Sequence, residues 1–214
     1  LRRRPKRHRA VRTGIGALRL VALSCTLAVF YGSFIEPQLL VVTRLPVSLP
    51  IERRLRVVVL ADFHIGPYKG REYVERVVRK TNELMPDIVI LAGDYVLQER
   101  VTLGSIDPLT ALKDLQTSLG TFAVMGNHDH GLHRSVFGLR QPVEAHTDIL
   151  TGFFGQLGIT VLSNRHEILS LGTESIAIAG VDDVIARDAN LAAALDGIPD
   201  GVPVILAAHN PDVI

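Results

Sequence analysis

Residues 56–64 read Arg-Val-Val-Val-Leu-Ala-Asp-Phe-His, and this stretch decides the fold. Four apolar residues in succession, Val57 to Leu60, predict a strand buried on both faces, as in a parallel sheet covered by helices. The polar triplet Asp62-Phe63-His64 follows almost at once. The same grammar recurs: Asp87 to Ala92 runs into Gly93-Asp94, Thr121 to Met125 into Gly126-Asn127-His128-Asp129, and Val202 to Ala208 into His209-Asn210-Pro211. Each polar run therefore falls at the carboxyl end of a predicted buried strand, the edge at which open α/β sheets bind ligands.

The segments between these strands fit an α/β alternation. Arg71 to Met85 carries Val74, Val77, Val78, Thr81, Leu84 and Met85 on one helical stripe and stops at Pro86. Asp107-Pro108 predicts a capped helix start, with Leu109, Leu112, Leu115 and Leu119 on its apolar face and Gly120 closing it. Ile159 to Leu162 and Ile176 to Ala179 read as further strands, and Asp188 to Leu195 as a short helix. Gly131 to Gly152 shows no clear period and reads as loop with a short helix beside the site.

Upstream the chain changes character. Arg2, Arg3, Arg4, Lys6, Arg7, Arg9 and Arg12 form a basic tail, so the formal net charge of +1 leaves the remainder net acidic and gives no case for a nucleic-acid surface. Leu20 to Ile35 is uncharged, and Ile15, Ala17 and Leu18 extend it past Arg19, which is just long enough to span a bilayer. The alternatives are a cleaved signal peptide, a lipoprotein signal and a buried helix. No Ala-x-Ala site follows, Ala22-Leu23-Ser24-Cys25 is a poor lipobox, and a core helix seldom follows so many basic residues. An uncleaved anchor is the reading favoured. The expected organisation is a basic cytoplasmic tail (1–14), a transmembrane anchor (15–36), a linker with a short strand at Leu39 to Thr43 (37–51), and a catalytic domain (52–214). The positive-inside rule puts that domain outside the inner membrane. The single cysteine, Cys25, excludes a disulfide framework within the chain.

Asp62, His64, Asp94, Asn127, His128 and His209 offer carboxylate, imidazole and amide donors suited to first-row divalent metals. The two-residue spacing of Asp62 and His64 predicts that both side chains leave an extended segment on one side. Gly93 and Gly126 allow close approach of the residues that follow them. Asp94 could then bridge two metals, with Asp62 and His64 on one and Asn127 and His209 on the other. Such a pair holds a shared hydroxide and clamps both oxygens of an in-line phosphoryl displacement. His128 would stabilise developing charge or protonate the leaving oxygen, and Asp129 would orient its ring. His130, His133, Arg134, Arg140 and His146 could grip a phosphate, against the alternative of a solvated loop. Asp182 and Asp183 lie near the same edge as turn residues or supporting groups.

Taken together, Asp62-Phe63-His64, Gly93-Asp94, Gly126-Asn127-His128-Asp129 and Ala208-His209-Asn210-Pro211 resemble the calcineurin-like metallophosphoesterase superfamily over roughly residues 52 to 214. The anchor, Ile35-Glu36-Pro37, Asp62 to Pro67 and Gly180-Val181-Asp182-Asp183 resemble its bacterial membrane-associated phosphodiesterase branch, which includes UDP-2,3-diacylglucosamine pyrophosphatases of lipid A biosynthesis. The resemblance implies a layered β-sandwich flanked by helices, a dinuclear Mn, Fe or Zn centre, and phosphoester or pyrophosphate hydrolysis. The superfamily's Gly-His-x-His element is not among these residues, and a C-terminally truncated sequence is expected. Gly93-Asp94 is followed by Tyr95-Val96-Leu97 where the superfamily often has a second Asp, a supporting residue and not a ligand.

The expected function is a membrane-anchored phosphohydrolase acting on a phosphate ester, with a lipid-linked substrate such as UDP-2,3-diacylglucosamine in view. A broad phosphodiesterase or phosphomonoesterase on soluble substrates is the alternative enzyme, and a non-catalytic membrane scaffold the alternative class. A lipid A precursor would require the site on the cytoplasmic face, against the charge bias of the tail.

Overall fold

The computed structural model describes residues 6–97, 101–132, 134–135, 138–139 and 144–213. The chain forms two compact units, Leu1–Arg44 and Leu45–Ile214.

In the first unit, α1 (Lys6–Phe30) runs without interruption. It continues as one π turn over Tyr31–Ile35 and a 3-10 turn over Glu36–Gln38, where Pro37 stops further α-helix. The stretch Arg12–Gln38 is 27 residues long with a mean hydropathy of 1.7, and none of its most apolar stretch is buried within the protein. By length and composition it can cross a bilayer. The strand expected at Leu39 to Thr43 does not form. That segment has no ladder partner among the described residues, and Val41 is 84% exposed.

The second unit follows the predicted alternation. Its strands are β1 (Val57–Leu60), β2 (Ile88–Ala92), β3 (Gly120–Val124), β4 (Arg134–Ser135), β5 (Gly138–Leu139), β6 (Thr160–Val161), β7 (Arg165–Ser170), β8 (Ser175–Gly180) and β9 (Val204–Ala207). Its helices are α2 (Arg71–Glu83), α3 (Leu103–Ile106), α4 (Glu144–Gln156) and α5 (Leu191–Leu195). A parallel sheet has the order β1-β2-β3-β6, and a second sheet has the order β7-β8-β9. In the second, β7 and β8 are antiparallel while β8 and β9 are parallel. Ile88, Ile90, Phe122 and Val124 of the first sheet pack with Leu162, Ile178 and Ala207 in one core, giving the layered α/β architecture.

The two sheets pack tightly at Gly180. A Cβ there would overlap the Leu162 side chain and come within 2.7 Å of Val124 Cγ1. Helix α2 buries Val74, Val77, Val78 and Thr81 of the predicted stripe but ends at Glu83, leaving Met85, expected on the same face, exposed. It is tied at both ends to the segment before β3: Arg71 bonds the Asp107 carboxylate at 2.9 Å, and Asn82 donates to the Asp114 carbonyl at 2.8 Å. That segment is α3 followed by 3-10 turns over Asp107–Asp114, shorter and tighter than the single helix expected to Leu119. Helix α4 is longer than the short helix expected before Gly152 and buries Leu150, Phe153 and Phe154. Strand β7, not foreseen as a strand, lies half-exposed at an edge.

Candidate metal centre

The four polar runs converge at the carboxyl ends of β1, β2, β3 and β9. The loops after β1 and β2 extend their ladder: Asp62 N donates to the Gly93 carbonyl at 3.1 Å, His64 N to that of Asp94 at 3.0 Å, and Ile65 N to that of Tyr95 at 2.9 Å. Between these bonds the backbone turns sharply. Asp62, His64 and Asp94 all have positive φ, at 56°, 44° and 57°. Non-glycine residues rarely adopt this region, and where they do the strain often accompanies function. Asp62 and His64 therefore come together through two left-handed residues and not through extended alternation, with His64 Nε2 3.3 Å from Asp62 Oδ1.

Asp94 lies at the centre and is buried. Its Oδ2 is 3.5 Å from His64 Nε2 and 4.0 Å from His128 Nε2, and its Oδ1 is 3.4 Å from His209 Nε2. The His128 amide also donates to Oδ1 at 3.0 Å. Burial alone would raise the Asp94 pKa, but the His209 hydrogen bond and the His128 amide outweigh it and hold the carboxyl below its usual range. The hydrogen bond to Asp94 lifts His209 to about 9, against its burial. His209 Nδ1 lies 2.8 Å from the Ala92 carbonyl, which fixes the ring.

Two donor groups share Asp94. One is His64, Asp94 and His128, and the other is Asp62, Asp94 and His209, with the offered atoms of each group within 4.8 Å of one another. The expected partition was different, pairing Asp62 with His64. Asp62 Oδ1 and His64 Nε2 nevertheless lie 3.3 Å apart, so the two remain within reach of one ion. The His64 and His128 rings meet edge to face with centroids 4.8 Å apart. Asn127 is half-buried, and its Nδ2 donates to the Leu132 carbonyl at 3.3 Å. The donor chemistry fits divalent first-row metals. His64 Nδ1, buried without a hydrogen-bond partner among the described residues, fits an imidazole whose role is not hydrogen bonding.

Glycine makes the convergence possible at Gly93 and Gly126, which face each other. A Cβ on Gly126 would overlap Asp94 Oδ1, and one on Gly93 would lie 2.7 Å from Gly126 N and 2.8 Å from His209 Nδ1.

Asp129 has a different use from the one expected. Instead of orienting the His128 ring, its fully buried carboxylate accepts the backbone N–H of Asp94 (2.8 Å), Tyr95 (2.9 Å) and Gly126 (2.9 Å). Burial pushes it up to about 7, against these three donors, which favour the anion. The turn at Gly126, where Asp129 N bonds back to the Gly126 carbonyl at 3.0 Å, aims the carboxylate inwards.

His130, read as a phosphate contact or as part of a solvated loop, is buried, with Nε2 2.6 Å from Asp182 Oδ1 and Nδ1 3.8 Å from Asp188 Oδ2. Both ring nitrogens face carboxylates of the β8–α5 loop. His133 and Arg140 lie outside the described residues, and Arg134 is described by its place in β4 alone. His146 is buried, and its Nε2 accepts the Val101 amide at 3.3 Å.

Two groups had no signal in the sequence reading. Tyr95 is fully buried, its hydroxyl 2.9 Å from the Leu91 carbonyl and 2.7 Å from that of Val124, so it fastens β2 to β3 beneath the site. Lys69 reaches back to Asp62, with Nζ 3.5 Å from its carbonyl oxygen.

A family model for calcineurin-like phosphoesterases matches residues 55–213. Among curated proteins, the chain is 32% identical over 185 residues to a transmembrane protein with metallophosphoesterase domain from Danio rerio, covering 77% of this chain and 38% of that one. It is 25% identical to the uncharacterized metallophosphoesterase YkuE of Bacillus subtilis, covering 92% of this chain and 66% of that one. It is 26% identical to the UDP-2,3-diacylglucosamine pyrophosphatase LpxG of Chlamydia trachomatis, covering 95% and 73%. The chain thus spans about two-fifths of the length of the vertebrate relatives it matches.

Proposed function

The chain belongs to the calcineurin-like phosphoesterase family, and we propose that it is a membrane-anchored phosphohydrolase whose site holds two divalent metal ions. One observation carries this reading: the two oxygens of Asp94 face separate donor groups, His64 with His128 and Asp62 with His209. A single carboxylate shared between two such groups is the arrangement a dinuclear centre needs. Asp62, His64, Asp94, His128 and His209 would hold the ions, with the Asn127 carbonyl oxygen as a further donor. Bound divalent ions would supply a nucleophile at neutral pH and neutralise charge on a phosphate.

The chain's own residues do the rest. Asp94 fixes the two groups in one frame. Asp129 holds the backbone of Gly126 and Asp94 together, so the donors need no rearrangement to meet. His128 stands at the margin, its ring against His64, where it can bind an ion or hold a proton for a leaving oxygen.

The substrate is a phosphodiester or a pyrophosphate. A lipid-linked pyrophosphate is favoured by two features together: an N-terminal helix able to span a bilayer and similarity to a protein named as a UDP-2,3-diacylglucosamine pyrophosphatase. The basic tail orients the phosphoesterase domain outward from a bacterial inner membrane by the positive-inside rule. A lipid substrate on the cytoplasmic face would require the reverse, and a topology reporter fused after Ile214 distinguishes the two.

The test is Mn²⁺-dependent hydrolysis of a bis-aryl phosphate by the full chain in detergent, with Asp94→Ala as control and bound metal counted in both. The reading requires about two ions per chain, and turnover reduced by a factor on the order of 100 or more in the variant. Unchanged turnover in Asp94→Ala would remove the shared-carboxylate assignment.

A further inference from the structure

We propose that Lys69 is the specificity-determining cation of this site, contacting a second anionic group on the substrate, the phosphate adjoining the scissile one in a pyrophosphate. The inference rests on the phosphohydrolase reading and narrows its substrate class.

Lys69 ends the turn that leaves the first site loop. Gly66 N donates to the Lys69 carbonyl at 3.0 Å, closing residues 66–69, and Pro67 stiffens the turn. The side chain then doubles back over the site loop. Its ammonium stands 3.5 Å from the Asp62 carbonyl oxygen and 5.1 Å from the centroid of the Tyr73 ring. These are its short-range contacts among the described residues, and the Asp62 carboxylate acts on it only from longer range. An ammonium carries three donors. Here one makes a long bond to a carbonyl, and the ammonium stands over the Tyr73 face, so donors remain for an anion.

Its position decides which anion. Asp62 belongs to one of the two donor groups, so a phosphate held there lies beside Lys69. Ions bound to the site donors would serve the scissile phosphate. A simple diester brings one negative charge and leaves Lys69 without a partner. A pyrophosphate brings a second charge on the adjoining phosphorus, and a lysine on a flexible stem binds phosphate as a point charge. If Lys69 served only to brace the Asp62 carbonyl, its loss would weaken every ligand and the metal alike. The two roles therefore differ in what they discriminate.

The experiment compares the full chain with Lys69→Met and Lys69→Arg, all loaded with Mn²⁺. Calorimetry first measures Mn²⁺ affinity, then binding of two inert probes, methylenediphosphonate and methylphosphonate. Kinetics then follow a P1,P2-disubstituted pyrophosphate and a bis-aryl phosphate. Lys69→Met should weaken methylenediphosphonate about tenfold more than methylphosphonate, the scale of one lost charge-assisted contact. The same ratio should appear in KM for the pyrophosphate, with Mn²⁺ affinity unmoved, and Lys69→Arg should restore most of it. Equal weakening of both probes, no weakening of either, or a loss of Mn²⁺ affinity would overturn the proposal. Selective binding with no hydrolysis of either substrate by the unaltered chain would leave Lys69 standing and remove the phosphohydrolase reading. Hydrolysis without selectivity would do the opposite.

Discussion

The Asp129 carboxylate takes the backbone N–H of Asp94 at 2.8 Å while also holding that of Gly126 at 2.9 Å. One buried side chain thus fastens the loop after β2 to the loop after β3, and the site's geometry depends on it. Asp129→Ala leaves three buried amide donors without their acceptor. Each such loss costs about 1–3 kcal/mol, so the variant should lose several kcal/mol of stability, read as a drop in Tm on the order of 10 °C. Asp129→Asn keeps one acceptor oxygen and should fall between it and the unaltered protein.

Metal binding should depend steeply on pH through His209. In the metal-free protein its imidazolium is held by Asp94, with a pKa of about 9 against an ordinary value of 6.5. The folded pKa is the higher one, so this pair stabilises the metal-free fold fully below pH 6.5 and loses that contribution as pH rises through 9. A metal at His209 must displace the proton. Apparent affinity should therefore rise about tenfold per pH unit up to pH 9. Calorimetry at pH 7 in buffers of different ionisation enthalpy should report close to one proton released from His209 per chain. Affinity flat across this range would show that His209 does not bind the ion.

Gly126→Ala should disable the site more than it destabilises the fold. Its Cβ would overlap Asp94 Oδ1 and lie 2.7 Å from Asp94 N. Relief requires the shared carboxylate to move, and overpacking of this kind costs about 1–3 kcal/mol. Turnover should fall by a factor on the order of 100, with bound metal reduced, while the protein stays folded by circular dichroism. Gly180→Ala, whose Cβ would enter the Leu162 side chain between the two sheets, should instead lower Tm with the remaining active fraction fully competent.

Asp182→Asn tests the link between the second sheet and the Gly126–Leu132 loop. His130 and Asp182 are 2.6 Å apart and both buried. Burial would lower the His130 pKa and raise that of Asp182, but their mutual hydrogen bond outweighs it and shifts each the other way. The Asp182 contribution is present above pH 3.8 and lost as pH falls through its lowered folded value. The His130 contribution is present below pH 6.5 and lost as pH rises through its raised one. The pair therefore stabilises most between those limits. Removing one partner of such a buried pair costs about 3–5 kcal/mol, and urea unfolding at pH 5 should show it.

Much of this was legible in the sequence, for identifiable reasons. Strands β2 and β3 could be read because they are buried on both faces and so are continuously apolar, whereas β1, equally apolar and expected to be buried likewise, lies at the sheet edge with Val59 61% exposed. Asp62, His64, Asp94, His128 and His209 could be read because each lies in a short polar run that closely follows an apolar one. Helix α4 was hidden by Gly152 and Gly155, which break the apolar stripe of Leu150, Phe153 and Phe154. Strand β7 was hidden because Arg-His-Glu-Ile-Leu-Ser is an edge sequence, mostly outward-facing. The roles of Asp129 and His130 were misread for a different reason. Their neighbours in sequence are site residues, but the tight turn from Gly126 points successive side chains in opposed directions, which adjacency does not show.

The left-handed backbone at Asp62, His64 and Asp94 has a consequence for how the protein tolerates emptying. Those conformations are fixed by amide bonds to Gly93, Asp94 and Tyr95 and by Asp129 beneath them. None of these restraints involves an ion. A chelator should therefore strip the centre without melting it, and an emptied protein should take up fresh cation quickly, with no refolding step in between.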